Sequence, residues 1–534
     1  MGTTLSYPGV YIEELTSGLH TITGVATSIA AFIGWAPQGP VDEAVMVESF
    51  TEYQALFGSF VSGVYLAYAV NQFFTNGGQQ AYIVRLVATA ADTPSATTQS
   101  ATASATGSGM SLWASNPGAW GNALMVTLTT QPSPNQTRFS LLVQKSNGTT
   151  SGSPPPTTLE SYANLSFSPT DPQYVVAVIE GDSNYITFTQ PGTTTPTAPT
   201  GTPTVGTTVI DFSTLNTGVD GDILTPGGTT APQDFELALL SATGGVGYNL
   251  LSEVPIFNLL CVPGETDAPT ISTLQGFCNT ERAFLIVDAP QLATVSTFQS
   301  PSLGGPYGTS TAGNELLTGQ YVSNSAYYFP WINAPDPLFG NRPALFPPCG
   351  FVAGIYASTD ASRGVWKAPA GINASLSGEL GLQYNLTDGQ NGLLNPVAIN
   401  CLRQFRVYGD VVWGARTLAG NDQMGSQWKY IPIRRLALYI ESSLYDGTQW
   451  VVFEPNDETL WGQIRLNVGT FMQGLFLQGA FAGSSPQQAY FVKCDADNNP
   501  ASSVALGVVN ILVGFAPLDP AEFVVIQIQQ IISQ

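Results

Sequence analysis

Charge is what this sequence has least of. Asp, Glu, Lys and Arg together make up 10% of its 534 residues, against about 25% in an ordinary globular chain, so its surface must be covered by Ser, Thr, Gln, Asn and Gly or by partner proteins. The few charges are unbalanced, 37 acidic against 15 basic for a formal charge of -22. Such a chain repels a phosphate backbone, which excludes non-specific nucleic-acid binding. Histidine occurs once. A Ser-His-Asp or Cys-His arrangement would have to use His20, yet it lies in the polar stretch TSGLHTITG and is expected at the surface. The five cysteines, Cys261, Cys278, Cys349, Cys401 and Cys494, form no C-x-x-C. They point to buried reduced thiols in a cytosolic product rather than to disulfides or zinc. There is no phosphate loop of the G-x-x-x-x-G-K-[ST] kind and no cofactor motif. MGTTLS fits the myristoylation pattern only as a short match. No basic stretch followed by an apolar core opens the chain, so no secretory signal is expected. The longest apolar run, 504–516, is broken by Asn510 and too short to span a bilayer; a soluble chain is expected.

At about 150 residues per domain, the length calls for three or four domains. The charge is also divided: residues 1–362 hold 5 basic and 24 acidic groups, residues 363–534 hold 10 and 13, so the two parts face different neighbours. YPGVYIEEL, with Val10, Tyr11 and Ile12, reads as an extended arm over 1–20. In 21–87 the small apolar run SIAAFIG and AYIVRLV read as buried strands. Between them lies a helix capped by Ser49, with Glu52 completing a capping box, and a second helix over 64–74 stopped by Asn76-Gly77-Gly78. This is the first part of an α/β layer. Residues 88–233 alternate in period two between turn signals, with low-complexity Ser/Thr/Pro loops at 88–109 and 190–208, and read as an inserted antiparallel β domain. The α/β style resumes over 234–395. A C-terminal domain, 396–515, is expected to hold strands KYIPIRRLALYIESSL and TQWVVFEP and a long helix from near Asn456, whose Leu460, Trp461, Ile464, Val468, Phe471, Met472, Leu475 and Phe476 share one face. An arm over 516–534 ends in an alternating strand that includes Phe523, Val524, Val525, Ile526 and Ile528.

In this order the segments resemble the contractile tail sheath proteins of bacteriophages and phage-tail-like injection systems. The match runs through YPGVYIEEL, ITGVATSIAAFIGWAPQGP, NPGAWGN, NLSFSP and NLLCVPG, and is densest in RGVWKAPAG, NCLRQF, VVWGARTL, WKYIPIRRL, WVVFEPND and APLDPAEFVV. The resemblance implies an α/β (α+β multidomain) chain with a subtilisin-like α/β domain lacking a catalytic triad. It further implies a non-enzymatic, cofactor-free subunit that stacks as hexameric discs around an inner tube, contracts, and meets baseplate and cap proteins, with no nucleic acid and no membrane insertion. Assembly in the cytoplasm into a virion tail or injection particle is expected. Strands at Val10–Ile12 and 523–528 present backbone groups that pairing with a neighbour's sheet edge would satisfy. Since the family's C-terminal domain faces the tube, Arg403, Arg406, Arg416, Lys429, Arg434, Arg435 and Arg465 are candidate contacts to tube or neighbouring sheath subunits; intramolecular pairing with Glu441, Glu454 and Asp457 is the alternative. RGVWKAPAG is expected to set a backbone path rather than bind a ligand. Two other functions compete: a hydrolase on the α/β layer using His20, and a glycan-binding module on the β insertion.

Overall fold

The computed structural model describes residues 20–89, 93, 96, 98–132, 137–147, 155–227, 234–241, 246–299, 319–422 and 425–523. The chain divides into two compact units. The larger comprises Thr27–Ser362 and Pro369–Lys429, and the smaller Met1–Ala26, Arg363–Ala368 and Tyr430–Gln534.

The larger unit is built on an eight-stranded sheet in the order Gly409–Val412, Ile399–Phe405, Ser325–Phe329, Phe284–Asp288, Leu259–Cys261, Ala30–Trp35, Ala81–Leu86, Val45–Val47. The six inner strands are parallel and the two outer ones antiparallel to their neighbours. Ala30–Trp35 and Ala81–Leu86 are buried at every residue, as a parallel strand covered on both faces must be. The helix Phe50–Phe57 starts where the sequence places it: the Ser49 hydroxyl accepts from the Glu52 N–H at 3.2 Å. The expected capping box is not completed, because the Glu52 carboxylate accepts from the Glu48 N–H instead. A full box occurs at Thr387 and Gln390, opening the helix Asp388–Leu394. The helix Cys349–Arg363 passes very close to the helix Leu66–Thr75. A Cβ on Gly350 would sit 2.5 Å from the Ala69 carbonyl oxygen, and one on Gly354 would sit 2.7 Å from that of Phe73, so only glycine permits this approach.

Between Ala81–Leu86 and Leu259–Cys261 the chain forms two antiparallel sheets, one of Thr207–Asp211, Leu124–Thr130, Phe139–Lys145 and Thr157–Leu165, the other of Ser104–Gly107, Met110–Ala114 and Ile186–Thr187. Their inward residues, among them Val126, Leu128, Phe139, Leu141 and Val143, form a core of their own, read out by period-two burial along each strand. Arg85, at the end of its sheet strand, is buried against carbonyls of both this insertion and the α/β layer.

In the smaller unit two expectations are corrected. KYIPIRRLALYIESSL is no strand: Ile431–Gly447 is a helix with Pro432 at its start. Ile433, Leu436, Ala437 and Ile440 recur at helical spacing and are buried, which outweighs the β preference of its Ile and Tyr residues. TQWVVFEP is likewise a short 3₁₀ turn, Gln449–Val451, not a strand. The long helix Glu458–Leu477 is capped by the Asp457 carboxylate, which accepts from the Leu460 N–H. It packs Leu460, Trp461, Ile464, Val468, Met472 and Leu475 into a core shared with Ile22, Val365, Leu436 and Ile440. The boundary at 396 is also corrected. Ile399–Phe405 and Gly409–Val412 complete the eight-stranded sheet by hydrogen bonding to it, so the larger unit runs to Lys429.

Candidate assembly interface

The smaller unit carries a two-stranded antiparallel sheet, Tyr490–Lys493 against Leu512–Phe515. No third strand pairs with either edge among the described residues. One side of this ribbon rests on the core through Tyr490, Val492, Val513 and Phe515, while Phe491 and Leu512 are exposed. The Phe491 ring lies across Gly514, where an added Cβ would meet it at 2.2 Å. A two-stranded ribbon is marginal by itself, and its free edges are templates for a further strand. The arm residues Val10, Tyr11, Ile12, Val524, Val525, Ile526 and Ile528 lie outside the described residues. Phe523 is exposed and in no strand. Upstream of it, the Tyr430 hydroxyl bonds Glu522 at 3.1 Å.

The basic residues separate sharply. Arg416 is 1% exposed and donates to the carbonyls of Asn395 and Gly420 and to Asp422 at 3.0–3.2 Å. Its backbone is clamped by Asn400, which accepts from the Arg416 N–H and donates to its carbonyl. Lys429 also binds Asp422, at 2.7 Å; these two cations, the Lys429 hydrogen bond foremost, hold that carboxyl below its usual range. Arg403 is buried, paired to Asp388 at 2.8 Å and lying over the Phe405 ring. Arg434 is buried and paired to Glu441 at 3.3 Å, and Arg435 is buried. Arg465 binds Glu458 at 2.6 Å and donates to the Cys494 carbonyl. The expectation that these residues reach outward is therefore corrected for Arg403, Arg416 and Arg434, whose guanidinium groups pair within their own chain, and for Arg435, which is buried. Arg406 alone of the seven is exposed with no ion pair recorded among the described residues.

Cys349 and Asp288 are a thiol and a carboxyl buried next to one another. The Asp288 carboxyl accepts the N–H groups of Cys349, at 2.8 Å, and Gly264, at 3.0 Å. Burial pushes Asp288 up to about 6 and the Cys349 thiol well above its ordinary value, and a buried thiol held protonated is a poor nucleophile. His20 belongs to the other unit, where it is exposed and stacks on Trp450 at 4.3 Å. Asp288 thus ties the start of the helix Cys349–Arg363 to the turn at Gly264, and these groups do not form a triad. In RGVWKAPAG, Gly364 has φ +88° with the Trp366 ring where a Cβ would be, and Val365 enters the smaller unit's core, so the motif sets a backbone path.

The profile for the phage tail sheath protein central domain matches residues 252–418, and that for the phage tail sheath C-terminal domain matches 423–531. The chain belongs to the phage tail sheath family. The junction between the two profiles falls near the Lys429 division of the structure rather than at 396. A putative prophage major tail sheath protein of Pseudomonas aeruginosa is 26% identical over 274 residues, 49% of this chain and 62% of that protein. The tail sheath protein of Vibrio phage KVP40 is 26% identical over 167 residues, 31% of this chain and 24% of its own length. The chain thus spans less than two thirds of these curated relatives. Its fold matches the sheath of an extracellular contractile injection system, PVC, in the contracted state, with a TM-score of 0.57, 22% identity and 99% of each chain covered. Family members are structural proteins, not enzymes. Sequence reasoning missed the two-stranded ribbon, although the alternation in AYFVKC was its visible signal.

Proposed function

We propose that this chain is the repeating subunit of a contractile sheath, polymerising as stacked hexameric discs around an inner tube and shortening to drive that tube through a target envelope. The observation that carries the reading is the ribbon Tyr490–Lys493/Leu512–Phe515, with no third strand on either edge among the described residues, in a chain whose β-forming segment at 10–12 and alternating segment at 523–528 are suited to serve as donated strands. Strand donation by those arms satisfies backbone groups on both partners and links neighbours by hydrogen bonds that persist while larger bodies move. The energy of contraction then lies in the difference between two packings of the folded bodies. Likeness to a sheath solved in its contracted state supports the reading. Baseplate, cap and tube proteins are the partners, and the subunit assembles in the cytoplasm into a virion tail or injection particle.

Electron microscopy of the purified chain, with and without its cognate tube protein, tests this. Hollow striated cylinders are expected. A chain lacking residues 521–534 should remain folded and monomeric; normal cylinders from it would overturn the strand-exchange mechanism.

A further inference from the structure

Two exposed features stand out, one on each unit. The strands Ile399–Phe405 and Gly409–Val412 join in a hairpin whose tip is Arg406-Val407-Tyr408. Val407 is 81% and Tyr408 51% exposed, and Arg406 is exposed beside them. The base of the hairpin is stiff, since Phe405 packs on Trp413 at 4.4 Å and beneath the Arg403 guanidinium. In the smaller unit, Phe453 is fully exposed and flanked by exposed Val452. Its φ is +71°, a left-handed conformation unusual for a bulky aromatic residue. None of the described residues covers its ring, so their packing gives no reason for an aromatic side chain here. The turn beneath is fixed by Val451 N–H to Thr448 and Glu454 N–H to Val451 hydrogen bonds. Glu454, next to Phe453 in the chain, is exposed and carries the negative charge at this turn.

We propose that the Arg406-Val407-Tyr408 tip of one copy docks on the Phe453 patch of a second copy, with Arg406 facing Glu454. The inference rests on the sheath reading, which supplies the second copy. Charge complementarity selects the pairing: a basic apolar tip against an acidic apolar patch, each repelling its own kind. Both sides are preorganised, which lowers the cost of ordering on association, and an exposed aromatic is a suitable anchor. Because tip and patch are different surfaces of one chain, the contact is heterologous and propagates from copy to copy instead of closing a two-fold dimer.

The test uses full-length chains and the yield of sedimentable cylinders. Glu454→Arg and Arg406→Glu should each lower that yield at least tenfold with unchanged melting temperature. Mixing the two variants, or combining both changes in one chain, should restore it. Phe453→Ala should lower the yield without restoration by any charge change. Cylinders formed equally well by all single variants, or no recovery on reversal of both charges, would overturn the proposal. Normal cylinders without the tube protein but none with it would assign the patch to the tube, and also overturn it. Should wild-type chains form no cylinders, the sheath reading fails. The contact is then decided by Val407→Cys combined with Phe453→Cys: an intermolecular disulfide ladder under mild oxidation at high concentration supports it, and monomers alone overturn it.

Discussion

The guanidinium of Arg85 donates to the Pro117 carbonyl at 2.9 Å, and with its remaining nitrogens to Ala36 at 2.7 Å and Gly39 at 2.6 Å. One buried side chain thereby ties together the end of a sheet strand, the turn of APQGP and the loop that follows the strand Met110–Ala114 of the β insertion. The cost is desolvation, which pulls the Arg85 group down to about 10, well above neutral pH, so the cation is kept.

Replacing that cation leaves three carbonyls dry and unpaired. Arg85→Met is expected to destabilise the chain by about 3 kcal/mol, since charged hydrogen bonds contribute about 1.5–3 kcal/mol each and the lost desolvation cost offsets part of that. Thermal unfolding checks the magnitude, and limited proteolysis should show first cuts moving to residues 88–120.

Gly350 gives a prediction of opposite sign to helix propensity. In an open helix Gly→Ala stabilises by about 1 kcal/mol. Here the new methyl would meet the Ala69 backbone at 2.5–2.6 Å, so Gly350→Ala should destabilise by about 2 kcal/mol, read as a fall in melting temperature.

Glu265 sets an alkaline limit. Burial first, and then the nearby Glu236 carboxylate, push its carboxyl up to about 8, and Glu236 is raised as well; each has a buried oxygen without a hydrogen-bond partner among the described residues. A folded pKa above the unfolded one means the folded chain binds the proton more tightly. The associated stability is present at pH 4–5 and is lost as pH rises through about 8. Calorimetry from pH 5 to 9 should show Glu265→Gln equal to wild type at pH 5 and more stable at pH 9.

The basic residues of the C-terminal half should split by burial. Arg416→Ala removes a cation bonded to three acceptors and should cost about 3–4 kcal/mol. Arg406→Ala should leave monomer stability within about 0.5 kcal/mol. Chemical denaturation of the two variants side by side measures the contrast.

What could be read in advance follows from where the signal resides. Ala30–Trp35 was legible because a parallel strand buried on both faces must be apolar throughout, and the helix at Glu458–Leu477 because one stripe of large residues repeats over five turns. Ile431–Gly447 was misread because its Ile and Tyr residues favour strands locally, while the deciding fact, a core seat beside Ile464, is tertiary. Charge likewise declares itself in a sequence but burial does not. Arg406 and Arg416 are alike on paper, and only the carbonyls of Asn395 and Gly420 converging on Arg416 tell them apart. Phe453 left no mark, since its backbone conformation has no compositional signature.

The smaller unit is assembled from three separated stretches of chain, and this has a consequence for its birth. Ile22 is buried in a core whose other members come from Val365 and from residues beyond Tyr430. At roughly 5–20 residues per second of synthesis, the segment carrying Ile22 leaves the ribosome on the order of 20–80 s before its binding site has been made. All of the larger unit's chain is synthesised before Tyr430, so it can fold while the segment around Ile22 still waits for partners made later.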